Sequence, residues 1–283
     1  MRVIAFFLPL FALMMASAGV FIAWEVKDLR NGDVEVVLAR DYPAAGQAPA
    51  ETSAQPQLRP GQTVCQGILH QAERGKPREV PAIYKQQREV LGIGIVGVES
   101  IDPRAFDAAA ETIHTMFDSN PGLLQPLVDQ GAYVVIADTG QEVDQLPEFA
   151  CLKDELGDDF FAHVCGIADH ADYPVVAVNE ADLTGDRRGP CHGLNVLYHE
   201  LGHLVQTWSL SPPDYFDVKY LYQDALDAGK YYRQYAATNA NEYFADGTQS
   251  YFLYAEPTGS KDRLWLKRYD PKLYELLARI YGE

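Results

Sequence analysis

An α+β fold, a small mixed sheet packed on helices, follows from three features of the sequence. Short runs rich in β-branched and other apolar residues lie at 90–98, 132–137 and 174–178, each of a length suited to a strand. Helix starts separate the first two runs: Asp102-Pro103 and Asn120-Pro121 each place a capping residue before a proline at the first turn. From Cys191 onward the apolar spacing is helical, and no internal repeat is evident.

Taken in order, the chain begins with a targeting pattern. Arg2 precedes an apolar stretch, and Ala16-Ser17-Ala18 meets the small-residue rule for signal-peptidase cleavage. The run from Val3 to Trp24 carries no charge over 22 residues, long enough to span a bilayer. Residues 1–23 are therefore expected to be either a cleaved signal peptide or an uncleaved membrane anchor. Either places the remainder outside the cytoplasm, secreted or in the periplasm or cell envelope, with the N-terminus as a membrane tether in the second case. Residues 24–26 and 34–38 read as short strands joined by the Asn31-Gly32-Asp33 turn, and residues 41–63, rich in Pro, Ala, Gln and Gly, as a tether. Residues 24–63 thus lead into a folded domain spanning 64–283.

Within that domain the run 90–98 is expected to be one strand, its glycines allowing close backbone packing. A helix from Asp102 to about Phe117, a second from Asn120 ended by Gly131, and strands at 132–137 and 174–178 follow. His114, alone on an apolar helix, reads as a core residue, and His70 is given no ligand role. The stretch holding His163, Cys165, Asp169, His170 and Asp172 reads as solvated loop, as does Asp186-Arg187-Arg188-Gly189-Pro190. Export favours paired cysteines, and Cys65, Cys151, Cys165 and Cys191 allow three connectivities. The preferred one joins Cys151 to Cys165 across a short loop and Cys65 to Cys191.

Charge excludes one class of partner. With 23 Lys+Arg against 40 Asp+Glu the formal net charge is −17, whereas a nucleic-acid binder needs a basic field.

The chemistry is concentrated in His199-Glu200-Leu201-Gly202-His203, an H-E-x-x-H pattern. Residues four apart stack on one helix face, so His199 and His203 can grip one ion while Glu200 lies beside it. On a helix over 191–208, Asn195 and Gln206 share the metal face, and Leu197, Leu201, Leu204 and Val205 face a core. Gly202 is poor for a helix interior and points to another backbone passing close by. A zinc centre needs a third protein ligand. Downstream, Glu242 and Asp246 are again four apart: Glu242 completes a His₂Glu site, and Asp246 accepts a hydrogen bond from the outer nitrogen of a ligand histidine. Zn²⁺ is the expected cofactor, held between two helices. Aromatic residues of the segment 211–235 are expected to form a helix and a wall of the cleft. A last amphipathic helix over 270–281 buries Leu273, Leu276, Leu277 and Ile280.

These motifs resemble the gluzincin branch of zinc metallopeptidases. The stretch Tyr235-Ala236-Ala237-Thr238-Asn239-Ala240-Asn241-Glu242-Tyr243-Phe244-Ala245-Asp246 is most similar to the anthrax lethal-factor-type catalytic domain. The likeness covers about fifty residues and departs from that family at Asp246, where the family has Glu. It implies a zincin-like metallopeptidase fold, peptide or protein substrates, Glu200 as general base, and a transition-state donor in Tyr235. A zinc-stabilised binding module of the cell envelope, without catalysis, is the alternative from another class.

Overall fold

The computed structural model describes residues 24–27, 34–37, 80–150, 164–169, 174–253 and 261–282. The expected signal or anchor at 1–23, the tether at 41–63, the domain start at 64, and Cys65, His70, Cys151, His163 and His170 lie outside the described residues. Two compact units divide the chain, residues 1–54 and 55–283. In the first, β1 (Trp24–Lys27) pairs antiparallel with β2 (Val34–Val37), with Trp24 opposite Val37.

The second unit is a mixed α+β domain. Its sheet has five strands in the order β3-β4-β5-β7-β6: β3 (Gln86–Val90), β4 (Ile93–Gly97), β5 (Tyr133–Ala137), β6 (Gly166–Asp169) and β7 (Val175–Asn179). The three inner strands β4, β5 and β7 run parallel, and each edge strand is antiparallel to its neighbour. All five residues of β5 and of β7 are buried, as expected of parallel strands covered on both faces.

Alternate residues of these strands feed two apolar clusters. One holds Ile93, Ile95, Val134, Ile136, Val176 and Val178 together with the helices. The other gathers Val96, Val135 and Ala177 with Val143, Leu146 and Phe149 of the segment after β5. Beside it the buried Glu148 carboxylate accepts hydrogen bonds from the Tyr84 and Tyr133 hydroxyls at 2.6 and 2.7 Å.

Among the described residues eight α-helices accompany this sheet. The first two are α1 (Pro103–Phe117) and α2 (Pro121–Asp129). Next come the short α3 (Glu180–Leu183), α4 (Leu197–Leu204) and α5 (Pro212–Asp227). The chain closes with α6 (Ala240–Phe252), α7 (Arg263–Tyr269) and α8 (Pro271–Tyr281). Of the two caps legible in the sequence one operates as expected: the Asp102 carboxylate accepts from the Arg104 amide at the start of α1. The Asn120 side chain makes no cap bond to α2, and its Nδ2 donates to the Ile280 carbonyl at 2.6 Å. On α8, Leu273, Leu276, Leu277 and Ile280 are buried. Among the described residues no helix is long and apolar enough to cross a membrane.

Four expectations are corrected. The run 90–98 is not one strand. Leu91 and Gly92 both take positive φ, 54° and 87°, and turn the chain into the β3–β4 hairpin. Residues 166–169 are not loop but an edge strand. His114 is exposed and pairs with Asp118 at 2.9 Å instead of entering the core. Finally, the helix expected from Cys191 begins six residues later, at Leu197. The Asp182 carboxylate captures the Cys191 and Gly193 amides at 3.0 and 2.8 Å, and His192 and Gly193 adopt positive φ, so this stretch is held as a turn.

Candidate metal centre

Two helices build the site. On α4, His199, Glu200 and His203 are buried, 8%, 6% and 5% exposed, while Leu197, Leu201 and Leu204 on the same helix enter the core. Helix α6 begins at Asn239, whose side chain accepts from the Asn241 and Glu242 amides at 2.9 Å each. Glu242 therefore lies in its first turn. The helices meet at Gly202, where a Cβ would stand 3.2 Å from Thr248 Cβ and 3.3 Å from Ala245 Cα, so the absent side chain lets α6 approach.

The three candidate ligand atoms converge. His199 Nε2 lies 3.1 Å from Glu242 Oε2 and 3.1 Å from His203 Nε2, and His203 Nε2 lies 3.4 Å from Glu242 Oε2. Zinc bonds of about 2.0–2.1 Å set tetrahedral ligand atoms about 3.3 Å apart, so this triangle has the dimensions of one face of a zinc tetrahedron. Two imidazole nitrogens nose to nose can share only one proton, and a cation between them relieves that conflict. The group His199, His203 and Glu242 is near enough to hold a metal ion.

Behind the ligands, His199 Nδ1 faces Asp246 Oδ1 at 3.2 Å, and Lys261 Nζ stands 3.9 Å from Asp246 Oδ2. The Tyr235 ring centroid is 6.0 Å from that of His199, and the residue is 60% exposed at the cleft mouth. The cleft has a volume of 830 Å³. Besides the residues above, it is lined by β6, a disulfide between Cys165 and Cys191, Leu194 and Leu253.

Electrostatics follow from burial and pairing. Burial pushes the Glu200 carboxyl up to about 7, despite the opposing pull of His199. For His199 burial acts downward, but hydrogen bonds to Asp246 and Glu242 prevail and raise it to about 10. Burial lowers His203, its neighbour across the 3.1 Å gap. On Glu242 burial acts upward, yet the bonds to His199 and His203 hold the carboxyl well below the usual carboxylate range. Burial, then the Glu242 and Glu200 carboxylates, raise Tyr235 above an ordinary phenol.

The structure thus brings together all six residues singled out by the sequence: His199, Glu200, His203, Tyr235, Glu242 and Asp246. It does not bring Asn195 or Gln206 to the metal face. Asn195 lies before α4, where its Oδ1 accepts from the Leu197 amide at 2.9 Å and its Nδ2 donates to Thr112 Oγ1 at 3.0 Å. Gln206 falls in a π-helical turn (Val205–Ser209), buried and away from the cleft. Of the segment 211–235, Tyr235 alone lines the cleft, so α5 is not its wall.

The Cys165–Cys191 bond overturns both preferred pairings, Cys151–Cys165 and Cys65–Cys191. Edge strand β6 brings Cys165 beside the turn before α4, a proximity that sequence separation could not reveal. Residues missed by the sequence reading are Gly166, Cys165 and Lys261. Gly166 follows a cysteine in a strand of only four residues, too short for a period-2 signal, and Lys261 carries no local signature. The chain matches no protein-family model, and no curated protein matches it.

Proposed function

We propose that the protein is an exported zinc endopeptidase of the gluzincin type with a zincin-like fold. The observation that carries this reading is the convergence of two imidazole nitrogens and a carboxylate oxygen within 3.4 Å, with a second buried carboxylate beside them on the same helix. A site that only held zinc for stability would need no such base and no cleft. The apolar N-terminal run and a disulfide support export.

Bound by His199, His203 and Glu242, zinc supplies a Lewis acid that polarises a carbonyl and makes water a better nucleophile. Glu200, on the cleft wall with a carboxyl near neutral pKa, is suited to take a proton from water and return it to the leaving amine. The Tyr235 hydroxyl stays protonated at neutral pH and can donate to the oxyanion as the carbonyl carbon becomes tetrahedral. Asp246 accepts from His199 Nδ1, which leaves Nε2 free to face the metal.

A peptide-library digest with and without chelator, read by mass spectrometry, tests the reading. Cleavage is expected that chelator abolishes and zinc restores; turnover indifferent to chelator would overturn it. Stoichiometric zinc without turnover on any peptide would favour the binding-module alternative. For the orienting role of Asp246, Asp246→Ala is expected to weaken zinc binding about 10–100-fold in a competition titration. Parental affinity in that variant would remove Asp246 from the site.

A further inference from the structure

The Glu200 carboxylate is buried, 6% exposed, so its position depends on what packs against it. Gly166, the first residue of β6, is one such neighbour. A Cβ there would stand 2.7 Å from Glu200 Oε1 and 3.0 Å from Glu200 Cγ, so bare backbone lies against the carboxylate. Among the described residues β6 is an edge strand of four residues paired to β7, with Gly166 opposite Val178. An edge so short is easily frayed. At this end it is tied by the bond from Cys165 to Cys191.

The far end of that bond is itself anchored. Asp182, 1% exposed, accepts from the Cys191 and Gly193 amides. It belongs to α3, which continues directly from β7. A closed path thus runs from β7 through α3, Asp182, Cys191 and Cys165 to Gly166 and back to β7 through the ladder. Both cysteines line the cleft and both are half-buried, which leaves the bond open to a small thiol.

We propose that the Cys165–Cys191 disulfide is a positioning element of the catalytic site, pinning Gly166 against Glu200 so that reduction impairs the base while leaving the metal ligands in place. The proposal rests on the peptidase reading for its kinetic consequence and on the fold alone for its structural one. Reduction by a small dithiol passes two electrons to the bond. Cys165 and Cys191 become thiols, and the reagent closes to its own disulfide.

The test compares the oxidised full-length protein with the double variant Cys165→Ser/Cys191→Ser. Readouts are zinc content, kcat and KM on a cleaved peptide well below the melting temperature, and amide exchange over 166–169. Expected are unchanged zinc, a kcat lower by up to about 100-fold with KM little altered, and faster exchange in β6. If the double variant fails to fold, reduction of the folded parent by dithiothreitol and its reoxidation give the same comparison. Gly166→Ala in the oxidised protein should reproduce the kcat loss. A general loss of stability would lower the melting temperature without this selective fall in kcat. Unchanged kcat after loss of the bond overturns the proposal. Should the oxidised parent bind zinc and cleave nothing, the peptidase reading fails separately. Exchange over 166–169 then decides: faster without the bond supports pinning, and unchanged exchange overturns it.

Discussion

Glu200→Gln is expected to keep zinc at the parental stoichiometry and to lower kcat/KM by roughly 10²–10⁴-fold, the usual contribution of a general base. That corresponds to about 3–5 kcal/mol of transition-state stabilisation. Glutamine has nearly the size of glutamate, so it can occupy the space against Gly166 without moving β6. It cannot take a proton. Stability should move the other way, because burial disfavours the charged Glu200 side chain and a neutral amide escapes part of that cost. Lost turnover with bound zinc and an equal or higher melting temperature is therefore the signature sought. Full activity in the glutamine variant would sink the proposed mechanism, and lost zinc would mean that Glu200 has a different role.

How much of this was legible depended on whether the determining contacts were local. Four-residue spacing on a helix is a local property, so the sequence sufficed to put His199 with His203 and Glu242 with Asp246. Gly202 added a long-range hint, since its helix cost implied a close neighbour, and that neighbour is α6. Elements set by distant partners were not legible. Strand β6 exists because β7 offers it a ladder, and its four residues carry no pattern of their own. The start of α4 moved to Leu197 because Asp182, nine residues upstream of Cys191, ties the Cys191 and Gly193 amides into a turn. A helix cannot continue through the positive φ of His192 and Gly193 in that turn. Leu91 hid the β3–β4 turn because leucine at positive φ carries no turn signal. The cysteine pairing failed for the same reason as β6.

The same division between local and distant causes shows in how α6 is oriented. Glu242 and Asp246 face the two histidines of α4 on one side, as the proposed ligand and its orienting partner. On another, the Tyr243 hydroxyl donates to Asp270 Oδ2 at 2.9 Å, and Lys230 Nζ meets Asp270 Oδ1 at 2.9 Å. Asp270 is 1% exposed, so its paired charge and the Tyr243 bond fix α6 about its axis. Helix rotation is thus set from behind. The distance between α6 and α4 is set in front, at Gly202.

That distance is the basis of the second large effect. Gly202→Leu should hold α4 and α6 apart, because even a Cβ at 202 would lie 3.2 Å from Thr248 Cβ and 3.3 Å from Ala245 Cα, and a leucine brings three more carbons. Overpacking of this kind costs about 1–3 kcal/mol of stability. The larger consequence is for the metal. Structural zinc is worth about 10–16 kcal/mol over its ligands, roughly 3 kcal/mol for each, so drawing Glu242 away should weaken binding by about 100-fold or more. Gly202→Ala is the graded control. Alanine gains up to about 1 kcal/mol of helix propensity, which offsets crowding that the neighbours can absorb by small shifts. The ordering expected in a zinc titration is parent, then Ala, then Leu, with far-ultraviolet circular dichroism showing all three folded. A folded Leu variant with parental zinc affinity would mean that α6 does not carry the third ligand. An equal loss in Ala and Leu would mean that glycine serves the backbone of α4 and not the approach of α6.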